Sequence, residues 1–162
     1  MEEPTTNPYA PPATEVNAAP VETEDAFPNP LFSPRQMLAA SIFGSLLAGV
    51  ILLQANYRAM SQRRQANRSL LVGSLASAAF FALMFFLPAK IPPTPINVAA
   101  ALALYKLADT LQGAAFLRHR AAKGERQSNW LVFGITVGTA VAVLVALFLI
   151  VLRTGVPDID TR

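Results

Sequence analysis

The run WLVFGITVGTAVAVLVALFLIVL, residues 130–152, decides the class of this protein, because it holds twenty-three positions without a single charge. A helix rises about 1.5 Å per residue, so this run would reach roughly 34 Å. The hydrocarbon core of a bilayer is about 30 Å thick. The run therefore predicts a helix that spans a membrane, with Trp130 in the interfacial aromatic belt.

The composition of the whole chain is also that of a membrane protein. Of its 162 residues, 53% are apolar and 14% are charged, whereas about 25% are charged in ordinary soluble proteins. The length allows one small helical bundle rather than two domains. The chain has no cysteine, which excludes disulfides, thiolate metal sites and thiol catalysis.

Three further segments are predicted to be membrane helices, at 37–57, 69–87 and 96–117. The first follows Ser33-Pro34-Arg35-Gln36, which offers a serine N-cap, a proline at the first helical position and a glutamine placed for a capping box. The third carries Lys106 and Asp109. On insertion scales two such charges raise the free energy of membrane insertion by roughly 6 kcal/mol, and the apolar residues of this segment lower it by roughly 4 kcal/mol. This segment therefore needs neighbouring helices, or it does not span.

These segments predict an all-α fold, a four-helix transmembrane bundle over residues 34–153. Residues 1–33 hold seven prolines, and all six acids that precede Arg35 lie among them. Proline removes backbone donors and fixes φ, so we expect this stretch to be a disordered, acidic tail. Residues 154–162 are predicted to be a short polar C-terminal tail.

The basic residues are concentrated in two connections, and they predict the orientation. Short basic loops stay in the cytoplasm, so with four spans both termini would lie outside. The same side chains are expected to contact anionic lipid headgroups. They are Arg58, Arg63, Arg64 and Arg68 in the first connection, and Arg118, Arg120, Lys123 and Arg126 in the second.

Small residues recur at four-residue spacing on two of the predicted spans. Helices in a bilayer associate by close packing of such residues and by polar contacts. We therefore expect these stripes to face other helices, either in this chain or in a second copy. They comprise Gly134, Gly138 and Ala142 on the last span, and Ala40, Gly44 and Ala48 on the first.

Lys106 and Asp109 are the main candidates for a functional site, because residues three apart share a helix face. Three interpretations compete. The two charges form a local ion pair that permits insertion, they form a polar site inside the bundle that binds or relays an ion or small solute, or the helix lies in the interface. The single histidine, His119, stands between two arginines and is predicted to face solvent or headgroups.

No enzyme motif is present: the sequence holds no GxSxG, HExxH, P-loop or GxGxxG. We therefore expect no enzymatic activity, no cofactor and no metal. Nucleic-acid binding is not expected either, because no aromatic platform accompanies the basic loops.

Two short stretches resemble uncharacterised small inner-membrane proteins of bacteria. One is the NPYAPP-type tail at residues 7–12, and the other is GVILLQANYRAM at residues 49–60. The resemblance implies a multi-span helical protein of the bacterial inner membrane and brings no activity with it. In similar proteins the proline-rich tail is cytoplasmic, which conflicts with the orientation predicted from charge.

The functional prediction is an integral membrane protein that acts through contacts with helices or lipids. Its expected partners are the bilayer, including anionic headgroups, and a second copy or another membrane protein. The alternative is a small transporter or channel subunit that uses Lys106 and Asp109.

Overall fold

The computed structural model describes residues 26–88 and 90–153, with the backbone of Thr154. Most of the predicted acidic tail and nearly all of the predicted C-terminal tail lie outside the described residues. The described chain is all-helical, and apart from one isolated bridge between Leu31 and Arg126 it contains no β-structure. Its helices are α1 (Pro34–Phe43), α2 (Leu46–Ala59), α3 (Arg63–Phe85), α4 (Pro93–Ala121) and α5 (Asn129–Thr154).

Helix α1 begins as predicted, at a capping box. The Ser33 hydroxyl accepts a hydrogen bond from the Gln36 N–H at 3.2 Å, and the Gln36 Oε1 accepts one from the Ser33 N–H at 2.8 Å. Pro34 occupies the first turn, where its missing N–H costs nothing.

The single helix predicted over 37–57 is wrong, because the chain folds back on itself at Gly44–Ser45. Phe32 and Asn56 are 24 positions apart, which is about 36 Å in a continuous helix. In the structure the Phe32 N–H donates to Asn56 Oδ1 at 2.8 Å. Close to the turn, a Cβ at Gly49 would collide with the Ser41 hydroxyl. Helices α1 and α2 are therefore antiparallel and form a helical hairpin, here called the 34–59 hairpin.

The 34–59 hairpin is the central packing element of the fold. Helix α1 packs on α4 and α5, and α2 packs on α3, α4 and α5. The three long helices make almost no direct contacts with one another. At its tip Gly44 lies against Thr136 of α5, where a Cβ would come within 2.8 Å of Thr136 Cγ2.

The core of the protein lies between the hairpin and the N-terminal segment. Leu31, Phe32, Met37 and Leu52 are all nearly inaccessible to solvent. The tail predicted over 1–33 is therefore too long, since residues 31–33 are buried. The apolar side chains at 31 and 32 explain the difference, because burying them stabilises an otherwise proline-rich segment.

The four predicted spans are reduced to two helices that are both long and apolar enough to cross a membrane. These are Arg63–Phe85 and Asn129–Arg153, which correspond to the predicted spans 69–87 and 130–152. Helix α4 is longer than the predicted span 96–117, at 29 residues, but it does not meet the same test. The charges that weakened this segment in the sequence account for that result.

The outer surfaces of α3 and α5 are apolar. Only 11% of the most apolar stretch of α5 is buried inside the protein, and only 6% of that of α3. The large side chains of α5 that face outward include Leu147, Phe148 and Leu152. A water-soluble monomer rarely exposes so wide a continuous apolar surface.

Candidate functional site: the groove beside the hairpin

A large groove runs between α1, α4 and α5, with a volume of about 1200 Å³. Small-molecule sites usually have volumes of roughly 300–1,000 Å³, so this groove is larger than most of them. It exists because α4 and α5 both pack on the hairpin and not on each other. We call it the α1–α4–α5 groove.

One end of the α1–α4–α5 groove is basic. Arg35 at the start of α1, Arg120 at the end of α4 and Arg126 in the following connection all line it, and all three are exposed. The Arg120 Nη1 donates to the Gly124 carbonyl at 3.0 Å, which holds this side chain beside the α4–α5 connection. The groove therefore begins with three guanidinium groups.

The wall of the groove below these arginines is mainly apolar. It is formed by Phe116 of α4 and by Val132, Phe133, Val137 and Leu144 of α5. From 132 to 144 the wall extends about 18 Å along the helix axis. An apolar groove with a charged end is suited to an amphiphile rather than to a small polar solute.

The sequence-predicted pair Lys106 and Asp109 is divided by the structure. Both side chains are exposed, and among the described residues no ion pair joins either of them to another group. Asp109 lines the groove together with Tyr105 and Gly113. A Cβ at Gly113 would lie 2.8 Å from Asp109 Oδ1, so the glycine leaves room for the carboxylate. Lys106 does not line the groove, and its Nζ lies 6.0 Å from the centre of the Tyr105 ring.

A buried amide network, which the sequence analysis did not identify, fixes the hairpin against α4. The Asn56 side chain donates to the Phe32 carbonyl at 2.8 Å and to Gln112 Oε1 at 3.0 Å. Gln112 Nε2 in turn donates to the Leu53 carbonyl at 3.1 Å. Both side chains are about 2% exposed. Their signal in the sequence is that each is a polar amide inside an otherwise apolar segment.

Gln36 provides a second amide contact at the basic end of the groove. Its Nε2 donates to the Gln127 carbonyl at 2.9 Å and to Asn129 Oδ1 at 2.8 Å. The same side chain completes the capping box. Gln36 therefore connects the start of α1 to the start of α5.

The prediction that His119 faces solvent or headgroups is wrong, because its ring is 2% exposed. Nδ1 accepts a hydrogen bond from the Phe27 N–H at 3.1 Å, and Nε2 lies 2.9 Å from the Glu125 carbonyl. These contacts require a neutral imidazole with its proton on Nε2. A Cβ at Gly124 would collide with this ring. The two exposed arginines that flank His119 in sequence do not predict that His119 is exposed as well, because adjacent residues of a helix point to different faces.

The small residues that recur at four-residue spacing fall into two groups. Ala40 and Ala48 are almost completely buried inside the hairpin, and Gly44 contacts α5. Gly134, Gly138 and Ala142 are exposed, and a Cβ at either glycine would meet nothing within 4 Å. The stripe on α5 therefore has no packing partner in the described part of this chain.

The eight basic residues assigned to topology are all exposed and lie at one end of the molecule. The hydrogen bond between Phe32 and Asn56 brings the end of α2 to the N-terminal segment. Leu31 pairs with Arg126, where the Leu31 N–H donates to the Glu125 carbonyl and the Gln127 N–H donates to the Leu31 carbonyl. The α2–α3 turn, the α4–α5 connection and residues 27–33 thus share this end, here called the basic end.

A second groove, of about 790 Å³, lies between α2, α3 and α4. Val50, Val72 and Leu107 contribute to its mainly apolar wall, and Arg68 lies in it toward the basic end. Within residues 26–88 and 90–153, no three histidine or acidic side chains come close enough to share a metal ion. The walls of both grooves are mainly apolar, and each groove has at least one arginine toward the basic end.

Comparison with known proteins adds no constraint: no protein-family model, no curated protein and no solved structure matches this chain.

Proposed function

We propose that this chain is a multi-pass membrane protein, of the bacterial inner membrane, that acts through contacts with lipids and with other helices rather than by catalysis. The observation that carries the proposal is the outward-facing apolar surface of α3 and α5. In water this surface would drive aggregation, whereas in a bilayer it faces lipid tails of the same polarity. The two grooves beside the hairpin would then open toward lipid.

In the proposed arrangement α3, α4 and α5 cross the membrane, and the 34–59 hairpin enters it from the basic end and returns. Its tip lies against Thr136, about 10 Å along α5 from Asn129. Non-helical backbone at membrane depth is tolerated where protein covers it, and here α5 lies against the turn. Helix α4, which would insert poorly alone, packs along α1.

This arrangement revises the orientation expected from four spans. Short basic connections remain cytoplasmic, so the basic end is assigned to the cytoplasm. Residues 27–33 lie at that end, and the N-terminal tail therefore starts in the cytoplasm. The chain after α5 starts on the opposite side.

Single-cysteine labelling tests the arrangement directly, because the chain has no cysteine of its own. We would introduce Thr5→Cys, Ser61→Cys and Lys90→Cys separately and treat intact cells with a membrane-impermeant maleimide. The proposal expects labelling of Lys90→Cys alone, with Thr5→Cys and Ser61→Cys labelled only after the cells are broken. Labelling of Thr5→Cys in intact cells would instead establish the four-span arrangement. Recovery of the chain as a stable monomer in detergent-free buffer would refute membrane insertion altogether.

A small transporter or channel subunit is the second candidate function, and two observations favour it. Asp109 lines the α1–α4–α5 groove, and an acidic side chain at membrane depth is typical of ion and proton pathways. The test is proton or potassium flux into proteoliposomes that hold a pH-sensitive or potassium-sensitive dye. A channel subunit would give a flux that Asp109→Asn reduces and Lys90→Gln does not. Proteoliposomes as tight as protein-free vesicles would reject this candidate.

A further inference from the structure

The α1–α4–α5 groove has three parts in a fixed order, and that order specifies a ligand. Three arginines form the cytoplasmic end, an apolar wall follows, and Asp109 lies farther along α4. Asp109 is eleven residues from Arg120, or about 16 Å along the helix axis. A ligand that matches this order has an anionic group at one end and an apolar chain behind it.

The arginines are available to a ligand. None of the described residues forms an ion pair or a side-chain hydrogen bond with the guanidinium of Arg35 or Arg126. Arg120 uses one nitrogen on the Gly124 carbonyl and keeps its other donors. A guanidinium presents its N–H groups in a planar fork that matches two oxygens of a phosphate.

The position of Arg35 is not explained by the stability of α1. It is the second residue of that helix, and a positive charge in the first turn opposes the helix dipole. Its side chain instead lines the groove together with Arg126 from the α4–α5 connection. The start of α1 and the α4–α5 connection thus each place a positive charge at the same opening of the groove. A bound anion would offset the repulsion between these charges.

The apolar wall has the depth of one leaflet. It extends about 18 Å from Val132 to Leu144, and half of a 30 Å hydrocarbon core is about 15 Å. Phe116, one helical turn before Arg120, and Phe133, one turn into α5, both line this wall, at the level where an acyl chain begins. Asp109 would repel an anionic headgroup from the deep part of the groove, and this fixes the direction in which the ligand enters.

We infer that the α1–α4–α5 groove binds one anionic phospholipid of the cytoplasmic leaflet, with its phosphate between Arg35, Arg120 and Arg126 and an acyl chain along α5. The inference rests on the proposed membrane arrangement, and it names the lipid class that this site selects. The acyl chain of a zwitterionic lipid would fit the apolar wall equally well, but the cation of its headgroup would be repelled by the three arginines. We therefore expect preference for phosphatidylglycerol over phosphatidylcholine.

The test is native mass spectrometry of the full-length chain in a non-ionic detergent, titrated with phosphatidylglycerol, phosphatidylcholine or glycerol phosphate. We expect one phosphatidylglycerol to bind at least about tenfold more tightly than phosphatidylcholine, and glycerol phosphate not to displace it. The double variant Arg35→Ala/Arg126→Ala should abolish that preference. The matched control Arg63→Ala/Arg64→Ala removes the same charge at the same end but outside the groove, and should keep it. Val137→Trp, which narrows the apolar wall, should weaken both lipids.

Equal loss of preference in the two double variants would overturn the inference, because the effect would then be one of overall charge. If glycerol phosphate binds with the same affinity as phosphatidylglycerol, the inference is also overturned, since the site would then recognise a soluble phosphate. The maleimide experiment is independent of both outcomes. Correct labelling combined with absent lipid preference would reject the lipid site and leave the membrane arrangement standing.

Discussion

Replacing Asn56 with alanine should destabilise the whole molecule, because this side chain joins three parts of the fold. It accepts from the Phe32 N–H, donates to the Phe32 carbonyl and donates to Gln112 Oε1. The substitution leaves those three buried groups without their partner. At about 1–2 kcal/mol for each unsatisfied group, the free energy of unfolding should fall by about 3–6 kcal/mol.

The assay is unfolding in mixed micelles of a mild detergent and dodecyl sulfate, followed by circular dichroism. Asn67→Ala is the matched control, because Asn67 is an exposed residue of α3 and its loss should change the free energy by less than about 0.5 kcal/mol. Amide exchange at Phe32 should also become faster in Asn56→Ala alone. If the two variants unfold at the same denaturant fraction, the amide network does not hold the hairpin and the reasoning is refuted.

Two further predictions concern close packing and the buried histidine. Gly73→Ala should destabilise the protein by about 1–3 kcal/mol, because its new Cβ would collide with Val50. In Gly138→Ala the new Cβ has no neighbour within 4 Å, so this variant should stabilise α5 by about 0.5–1 kcal/mol. The same unfolding assay measures both, and a shared sign would contradict the packing described here. His119→Phe removes the acceptor for the Phe27 N–H, so cleavage by a protease near residue 27 should become faster. Cleavage at the unchanged rate would mean that the histidine does not hold the N-terminal segment.

Much of the helical structure could be predicted from local signals. Ser33 and Gln36 mark the start of α1 through their side chains alone. The uncharged run at 130–152 lies within α5. In both cases the information is contained in neighbouring residues, so no knowledge of the tertiary fold is needed.

The break at Gly44–Ser45 could not be predicted in the same way. The predicted span 37–57 is uncharged throughout and long enough to cross a bilayer, and Gly44 belongs to a stripe of small residues typical of packed membrane helices. The folded-back arrangement is stabilised by a long-range contact, in which Asn56 bonds to the backbone of Phe32 on the other side of the turn. The two amides in apolar surroundings were the available signal, since a buried amide needs a hydrogen-bonding partner.

The groove could not be predicted from the sequence for a related reason. Lys106 and Asp109 stand out in the sequence because charges are rare in apolar helices, but only Asp109 lines the groove. Arg35, Arg120 and Arg126 come from three different parts of the chain. Their common position depends on the pairing of Leu31 with Arg126, which has no local pattern.

The central position of the 34–59 hairpin imposes an order on the biogenesis of the proposed membrane protein. The hairpin leaves the ribosome before α3, α4 and α5, yet Asn56 meets Gln112 only after 56 more residues have been made, and the hairpin tip meets Thr136 later still. Until then the Asn56 side chain is bonded to Phe32 alone, and the sides of the hairpin that α4 and α5 cover remain open. We therefore expect the nascent hairpin to be held by the insertion machinery, or at the membrane surface, until α4 and α5 emerge to enclose it.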